Sequence, residues 1–591
     1  MTKLLSASHP DYTLPPDTGR PQVKEFGHQV AARFPVPPLL GEILYHRGFT
    51  TLQEVRNFLY PQLSMLPAPE TMMGMQQAVR SILETCRANG PIFIHGDYDV
   101  DGISATALLK SFFREIGIKT VAYIPNRLEE GYGMSVASIN RLLSKADHQV
   151  RGGLLISVDC GITAVDEVIY ARKLGLRVII TDHHEPKNAL PAADAILNPK
   201  QQGCTFPFPL LAGVGVAFFL IIALRKAFVE SGVVSLGSMP NLKKYLDLVA
   251  LGTVADVVPL VGINRILVHA GLEVLSAKSR TGVLCLCECC GIAGRQILAE
   301  DIAFKLAPRI NSSGRLGCPQ VGLALLSTDS GEEAMQAARS LETMNGQRKE
   351  LELSMYSVID EQCNQQALEG LSGLTVYQEN CHPGVVGILA SKNVDRYHRP
   401  VIIFTDDFKG GSGDYLKGSG RSVAGVNLLH ILQRCSPWIE QFGGHAMAVG
   451  LTIKRSNLKA FRQSFHEQAS RHDEIIRKNS VMLWIDHQFH DKEALTGELI
   501  RALQLMQPFG EGNPEPKFLL ANELVLNPKD IKGHLAFQVR INGQAFPGIG
   551  FNLADSTRNF QEPVDVVFQL KRSWFKGAGR DQIQALHLAP C

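Results

Sequence analysis

Between residues 91 and 181, four short apolar runs alternate with helix-length stretches. The runs are Pro91–Ile94, Thr120–Ile124, Gly153–Val158 and Arg177–Thr181, and the stretches between them include Ala105–Ile116 and Thr163–Leu174. Strands rich in Val, Ile and Leu that are separated by helices pair in parallel, because the crossover needs a helix to bring the chain back. This predicts a parallel sheet covered on both faces, where ligands gather at the carboxyl ends of the strands. Three of these ends are acidic. Pro91–Ile94 runs into His95-Gly-Asp97-Tyr-Asp99-Val-Asp101-Gly102, Gly153–Val158 into Asp159-Cys-Gly161, and Arg177–Thr181 into Asp182-His183-His184. A fourth acid, Asp256, stands alone in the apolar segment Gly252-Thr-Val-Ala-Asp-Val-Val-Pro259. An unpaired carboxylate there is costly, and so many acids converging on one crevice repel one another unless cations neutralise them. The Asp-x-Asp-x-Asp-Gly run alone resembles a calcium loop, but the later Glu is absent and Ile103-Ser-Ala-Thr begins a helix instead.

The rest of the chain divides by texture into residues 1–35, a polar, Pro-rich flexible arm; 36–80, a short helical segment; and 81–330, the parallel-sheet domain. A long connecting helix is expected over 331–370, with a smaller α/β domain over 371–477 and an all-β module over 478–591. With 59 Lys and Arg against 57 Asp and Glu in 591 residues, the charge of +2 excludes a uniformly basic coat but not a local basic path for nucleic acid. Forty-five per cent apolar residues exclude wholesale disorder. The longest uncharged apolar run, Leu210–Leu224, has 15 residues, fewer than the roughly 20 of a membrane span, and predicts a buried helix. The crowded run Cys285-Leu-Cys287-Glu-Cys289-Cys290 lacks zinc-ligand spacing and is expected in a core helix. The start, Met1–Ala7, has no apolar signal region, so a reducing cytoplasm is the expected compartment.

The acidic motifs, taken in order, resemble the series of the DHH phosphoesterase superfamily, and further segments resemble its RecJ family of single-strand-specific exonucleases. Those segments are Arg47-Gly48 with Phe58–Pro61, Leu211–Val216, Ala307-Pro-Arg-Ile-Asn-Ser-Ser-Gly-Arg-Leu316, His382–Ala390, Gly418–Ser422, Gly443–Gly450 and Pro508–Pro516. The resemblance implies a DHH domain, a DHHA1 domain and a C-terminal OB-like barrel. It implies two divalent ions, Mn²⁺ or Mg²⁺, sharing one carboxylate. His95, Asp99 and Asp159 would hold one; Asp101, Asp159, His183 and Asp256 the other; and Asp97 is a further candidate. His184 would face the substrate with Asp182 orienting it. Arg309, and Arg315 with Asn311, would meet the phosphodiester, as would Arg127, Arg421 and the glycine-rich Gly443-Gly444-His445. In Lys571-Arg572-Ser-Trp574-Phe575-Lys576 cations interleave with aromatics, as backbone tracking and base stacking require, and Trp574 is the stacking candidate.

The function so implied is 5′→3′ degradation of single-stranded DNA to 5′-mononucleotides, serving repair and recombination. The expected partners are single-stranded DNA, a helicase and a single-strand-binding protein, with no membrane, and the chain is expected to act as a monomer. The rivals are another DHH phosphodiesterase, acting on oligoribonucleotides, cyclic dinucleotides or pyrophosphate, and a non-catalytic replisome scaffold.

Overall fold

A computed structural model describes residues 12–15, 20–131, 133–146, 150–187, 189–407, 413–479, 483–489, 495–554, 562–575 and 578–590, with the side chains of 478–479, 572–575, 578–580 and 590 outside that description. The chain forms two compact units. The larger is Gln62–Arg471 with Pro508–Asn513; the other gathers Met1–Pro61, His472–Gln507 and Pro514–Cys591.

In the larger unit, strands Ile92–His95, Thr120–Tyr123, Leu154–Val158, Arg177–Thr181 and Ala195–Leu197 pair in parallel throughout. In space Thr120–Tyr123 lies at one edge, followed by Ile92–His95, Leu154–Val158, Arg177–Thr181 and Ala195–Leu197. The order therefore reverses between Ile92–His95 and Leu154–Val158, where a doubly wound sheet opens its crevice. Alternate side chains feed two cores. Ile92, Ile94, Leu154, Ile156 and Ile179 pack in one with the helices Val100–Glu115 and Gly213–Glu230; Phe93, Leu155, Val178 and Ile180 pack in the other with Ile139 and Val168. The run Leu210–Leu224 supplies most of the buried helix Gly213–Glu230, as its composition predicts, and no helix among the described residues is long and apolar enough to cross a membrane. Cys285 and Cys287 are core residues of helix Thr281–Cys289, and no cysteine joins a metal-competent cluster among the described residues.

The 38-residue helix Gly331–Leu368 leads to a second sheet. Ala334, Ala338 and Leu341 bury its first half. Midway the usual division of apolar and charged faces inverts, because Glu352 is buried while Leu353 is 68% exposed. Glu352 is tolerable there because Arg348, at 2.7 Å, and Lys392 neutralise it. The second sheet orders strands Gln441–Gly444, Ala448–Lys454, Tyr415–Arg421, Val401–Asp406 and Leu374–Tyr377, with only the last pair parallel. Helix Pro383–Tyr397 covers it.

In the other unit, seven strands between His487 and Pro590 form one sheet. The expected flexible arm is structured in part: Tyr12–Thr13 pairs with Leu483–Trp484, and residues 21–33 form a helix. Pro21 starts that helix, and Val23, Phe26 and Val30 recur on one face and are buried. Helix Pro38–His46 packs so closely against it that a Cβ on Gly41 would stand 2.8 Å from Gly27 Cα. Residues 1–11 and 16–19 of the arm, and 481–482 near the start of the expected all-β module, lie outside the described residues.

Candidate metal centre

The strand ends converge. Asp99 caps helix Val100–Glu115, its Oδ1 accepting from Gly102 N–H at 3.1 Å, so the acidic loop turns directly into the helix. Asp101, in the first turn, accepts at 2.6 and 2.9 Å from the N–H groups of Gly213 and Val214, which begin helix Gly213–Glu230. Its carboxylate is thus held at the positive end of a second helix. Asp159 has φ +60, a left-handed conformation costing about 1–3 kcal/mol for a non-glycine residue. Glycines make the room: a Cβ on Gly213 would stand 2.6 Å from Asp159 Oδ1, and one on Gly252 would stand 2.6 Å from Asp101 Oδ1.

His183 Nε2 lies 3.2 Å from Asp159, 3.5 Å from Asp256 and 3.9 Å from Asp101. Three groups of donor atoms are close enough to hold an ion: Asp97, Asp99 and Asp159; Asp101, His183 and Asp256; and Asp159, His183 and His184. Asp97 Oδ1, Asp159 Oδ1, His183 Nε2 and Asp256 Oδ2 are all buried without a hydrogen-bond partner. Buried polar atoms are normally paired, so four orphans from four separate segments have the donor chemistry to hold divalent cations. Burial, then the neighbouring Asp99, pushes Asp97 up to about 8 and Asp101 up to about 7. Burial, then Asp101, raises Asp159 and Asp256 as well. Hard divalent ions would reverse that penalty.

Asp182 faces the other way. It accepts from Ile162 N–H at 2.9 Å, His183 N–H at 2.7 Å and His184 N–H at 3.0 Å, and bonds His184 Nδ1 at 2.7 Å. Burial alone would raise it, but these bonds and both histidines hold it at about 2. His184 is raised to about 9, the Asp182 bond outweighing burial. The His184 ring stacks on His445 from the second sheet, with centroids 5.4 Å apart. Gly444, at φ +136, makes the turn just before His445, while Gly443 is exposed with open space around it.

A second, cationic cluster adjoins the acidic loop. Arg127 lies over the Tyr98 ring, 4.9 Å from its centroid. Burial, then Arg127 and Arg421, lowers Arg315 to about 10, and burial followed by Arg127 lowers Arg421. Three arginines from three segments thus lie near enough to oppose one another's charge, an arrangement suited to a phosphate.

Other expectations fare differently. His95 is not brought into the cluster: its Nε2 lies 2.8 Å from Ser138 Oγ and its Nδ1 3.7 Å from Cys160 Sγ, and burial lowers it to about 4. The Arg309 guanidinium is taken by Glu342, which fastens its helix to the long one, and by the Lys305 carbonyl one turn earlier. Asn311 accepts from Val100 N–H at 3.2 Å, bracing the acidic loop from behind. The Trp574 side chain lies outside the described residues. Asn198 was not anticipated: fully buried, it donates to the His184 carbonyl at 2.9 Å. Its signal was its place, immediately after the fifth strand, Ala195–Leu197.

Comparison with known proteins identifies the family. Residues 91–253 match the DHH family N-terminal domain, 370–471 the DHHA1 domain and 485–587 the RecJ OB domain. The single-stranded-DNA-specific exonuclease RecJ of Escherichia coli (strain K12) is 37% identical over 565 residues, covering 92% of this chain and 94% of that protein. The Haemophilus influenzae protein of the same name is 34% identical, covering 94% of this chain and 96% of that one. The crystal structure of RecJ in complex with Mn²⁺ from Thermus thermophilus superposes with a TM-score of 0.78 at 30% identity, over 96% of this chain and 78% of that one. A Mg²⁺ complex from the same source gives 0.74 at 28% identity, over 96% and 77%. Identity at this level across nearly the whole length places the chain in the RecJ family of single-stranded-DNA-specific exonucleases.

Proposed function

We propose that the chain is a metal-dependent exonuclease that degrades single-stranded DNA from the 5′ end and releases 5′-mononucleotides. The four orphaned ligand atoms carry this reading. Asp97, Asp99 and Asp159 would hold one Mn²⁺ or Mg²⁺, and Asp101, Asp159, His183 and Asp256 the other. Such a pair supplies the charge that activates water at neutral pH and stabilises attacking and leaving oxygens of an in-line displacement.

The protein's part is placement. Helix Gly213–Glu230 fixes Asp101, and Asp182 holds His184 as a hydrogen-bond donor toward the phosphate. Arg127, Arg315 and Arg421 bind the terminal 5′-phosphate, which sets polarity by anchoring one end of the strand. Gly443, Gly444 and His445 border the strand's path beside His184. The C-terminal β module suits single-strand binding, as OB folds do. A helicase and a single-strand-binding protein would supply and protect the substrate, and the chain would act as a monomer in the cytoplasm, in repair and recombination.

The test compares Mn²⁺-dependent turnover of a long 5′-phosphorylated single strand with that of its 5′-hydroxyl counterpart, a blunt duplex, a dinucleotide and pyrophosphate. The phosphorylated strand should turn over fastest. Arg421→Ala should erase the preference over the 5′-hydroxyl strand, a loss of about ten- to a hundredfold if one charge-assisted contact contributes about 1.5–3 kcal/mol. Faster turnover of dinucleotide or pyrophosphate would instead favour another DHH activity.

A further inference from the structure

Asp256 reaches the centre from an unusual piece of backbone. It ends helix Leu246–Ala255, and the next residue, Val257, has φ +59. A β-branched residue in the left-handed region is a true outlier, and such strain persists only where the surroundings over-determine it. The hydrogen bonds nearby show what does so.

Asn264, in the first turn of helix Gly262–Ala277, is fully buried. Its side-chain amide donates to the Leu210 carbonyl at 2.6 Å and to the Pro259 carbonyl at 3.0 Å. Both partners are acceptors, so the amide orientation is fixed by chemistry. Its own Oδ1 is buried without a partner. An amide kept in the core with one end unsatisfied is costly, and both of its donor hydrogens are used.

The two carbonyls belong to turns that carry the same candidate ion site. Pro259 follows Asp256 by three residues. Leu210 precedes Leu211, whose backbone bonds His183, and Gly213 and Val214, whose N–H groups hold Asp101. The Asp256 turn is braced once more from outside, where Leu260 N–H donates to the Glu511 carbonyl at 2.7 Å.

We infer that Asn264 is a positioning residue for the second ion: it pins the Asp256 turn to the turn that orients Asp101 and His183, and so sets the spacing of three of that ion's four ligands. This rests on the two-ion reading above. No ligand of the first ion apart from the shared Asp159 depends on either turn, so the two ions should respond differently.

The test is Mn²⁺ binding to the full-length, ion-stripped protein, followed by the electron paramagnetic resonance of free Mn²⁺, with circular dichroism as the check on folding. Wild type should bind two ions. Asn264→Ala should weaken one by about ten- to a hundredfold, the usual cost of losing an outer partner of a ligand, and leave the other unchanged. Asn264→Ser, which keeps one donor, should fall between. A structural role alone would lower the melting temperature without separating the sites. Two unchanged sites in a folded Asn264→Ala, equal weakening of both, or loss of fold in both variants would overturn the pin. Failure of wild type to bind a pair would overturn the two-ion reading instead.

Discussion

Asp159 combines three properties that rarely meet in one side chain: a left-handed backbone, full burial and an oxygen without a hydrogen-bond partner. Each is unfavourable alone, and together they fit a carboxylate that would be shared between two cations. Asp159→Ala should therefore reduce hydrolysis of single-stranded DNA by more than the roughly hundredfold typical of losing an outer partner of a ligand, while strand affinity in a filter or anisotropy assay stays close to wild type. The acids were legible in the sequence because a strand's carboxyl end is marked by its own apolar run. Arg309 was not, and the reason is geometric. It stands six residues before Arg315 on helix Ala307–Arg315, and at about 100° per residue the two point to different sides. Arg315, with Asn311 four residues before it, turns toward the acidic loop and the arginine cluster, and Arg309 turns to Glu342. His95 stands apart from the other candidate ligands for a local reason. It is the last residue of its strand, Ile92–His95, and bonds Ser138, so it lies in the sheet rather than in the loop.

At the scale of elements, close backbone contacts hold the acidic loop in place. A Cβ on Gly314 would collide with the Tyr98 carbonyl, in the middle of the Asp97–Asp101 turn. Gly314→Ala should lower kcat by about tenfold or more through displaced ligands, since misplacements near 1 Å can cost about a hundredfold. A steady-state series read beside the melting temperature would separate this from simple unfolding. The N-terminal helix makes a different prediction. Phe26 is 7% exposed against helix Pro38–His46, so Phe26→Ala should destabilise its unit by about 3–5 kcal/mol in urea unfolding without a direct effect on the centre. That helix was readable from Val23, Phe26 and Val30, but the prolines around it suggested an arm instead. The convergence of Arg127, Arg315 and Arg421 could not be read at all from local pattern. It joins the parallel-sheet domain to strand Tyr415–Arg421 of the second sheet, and only tertiary packing brings such segments together.

For the whole molecule, a near-neutral sequence hides a strongly divided charge distribution. Carboxylates are concentrated at the switch point of one sheet, and the arginines gather beside them. Ion binding should stabilise the folded chain by mass action. Mn²⁺ at about a hundred times its Kd should add about 2.7 kcal/mol, visible as a raised Tm that a chelator reverses and that Asp159→Ala abolishes. The central claim, a divalent-ion centre fed from one end of a single strand, is tested most directly by one time course. A 5′-phosphorylated, 3′-labelled single strand is incubated with the protein and Mn²⁺, with a chelated control. A descending ladder of labelled products is expected in Mn²⁺ and none in chelator. Immediate release of labelled mononucleotide from the 3′ end, or equal degradation in chelator, would contradict it.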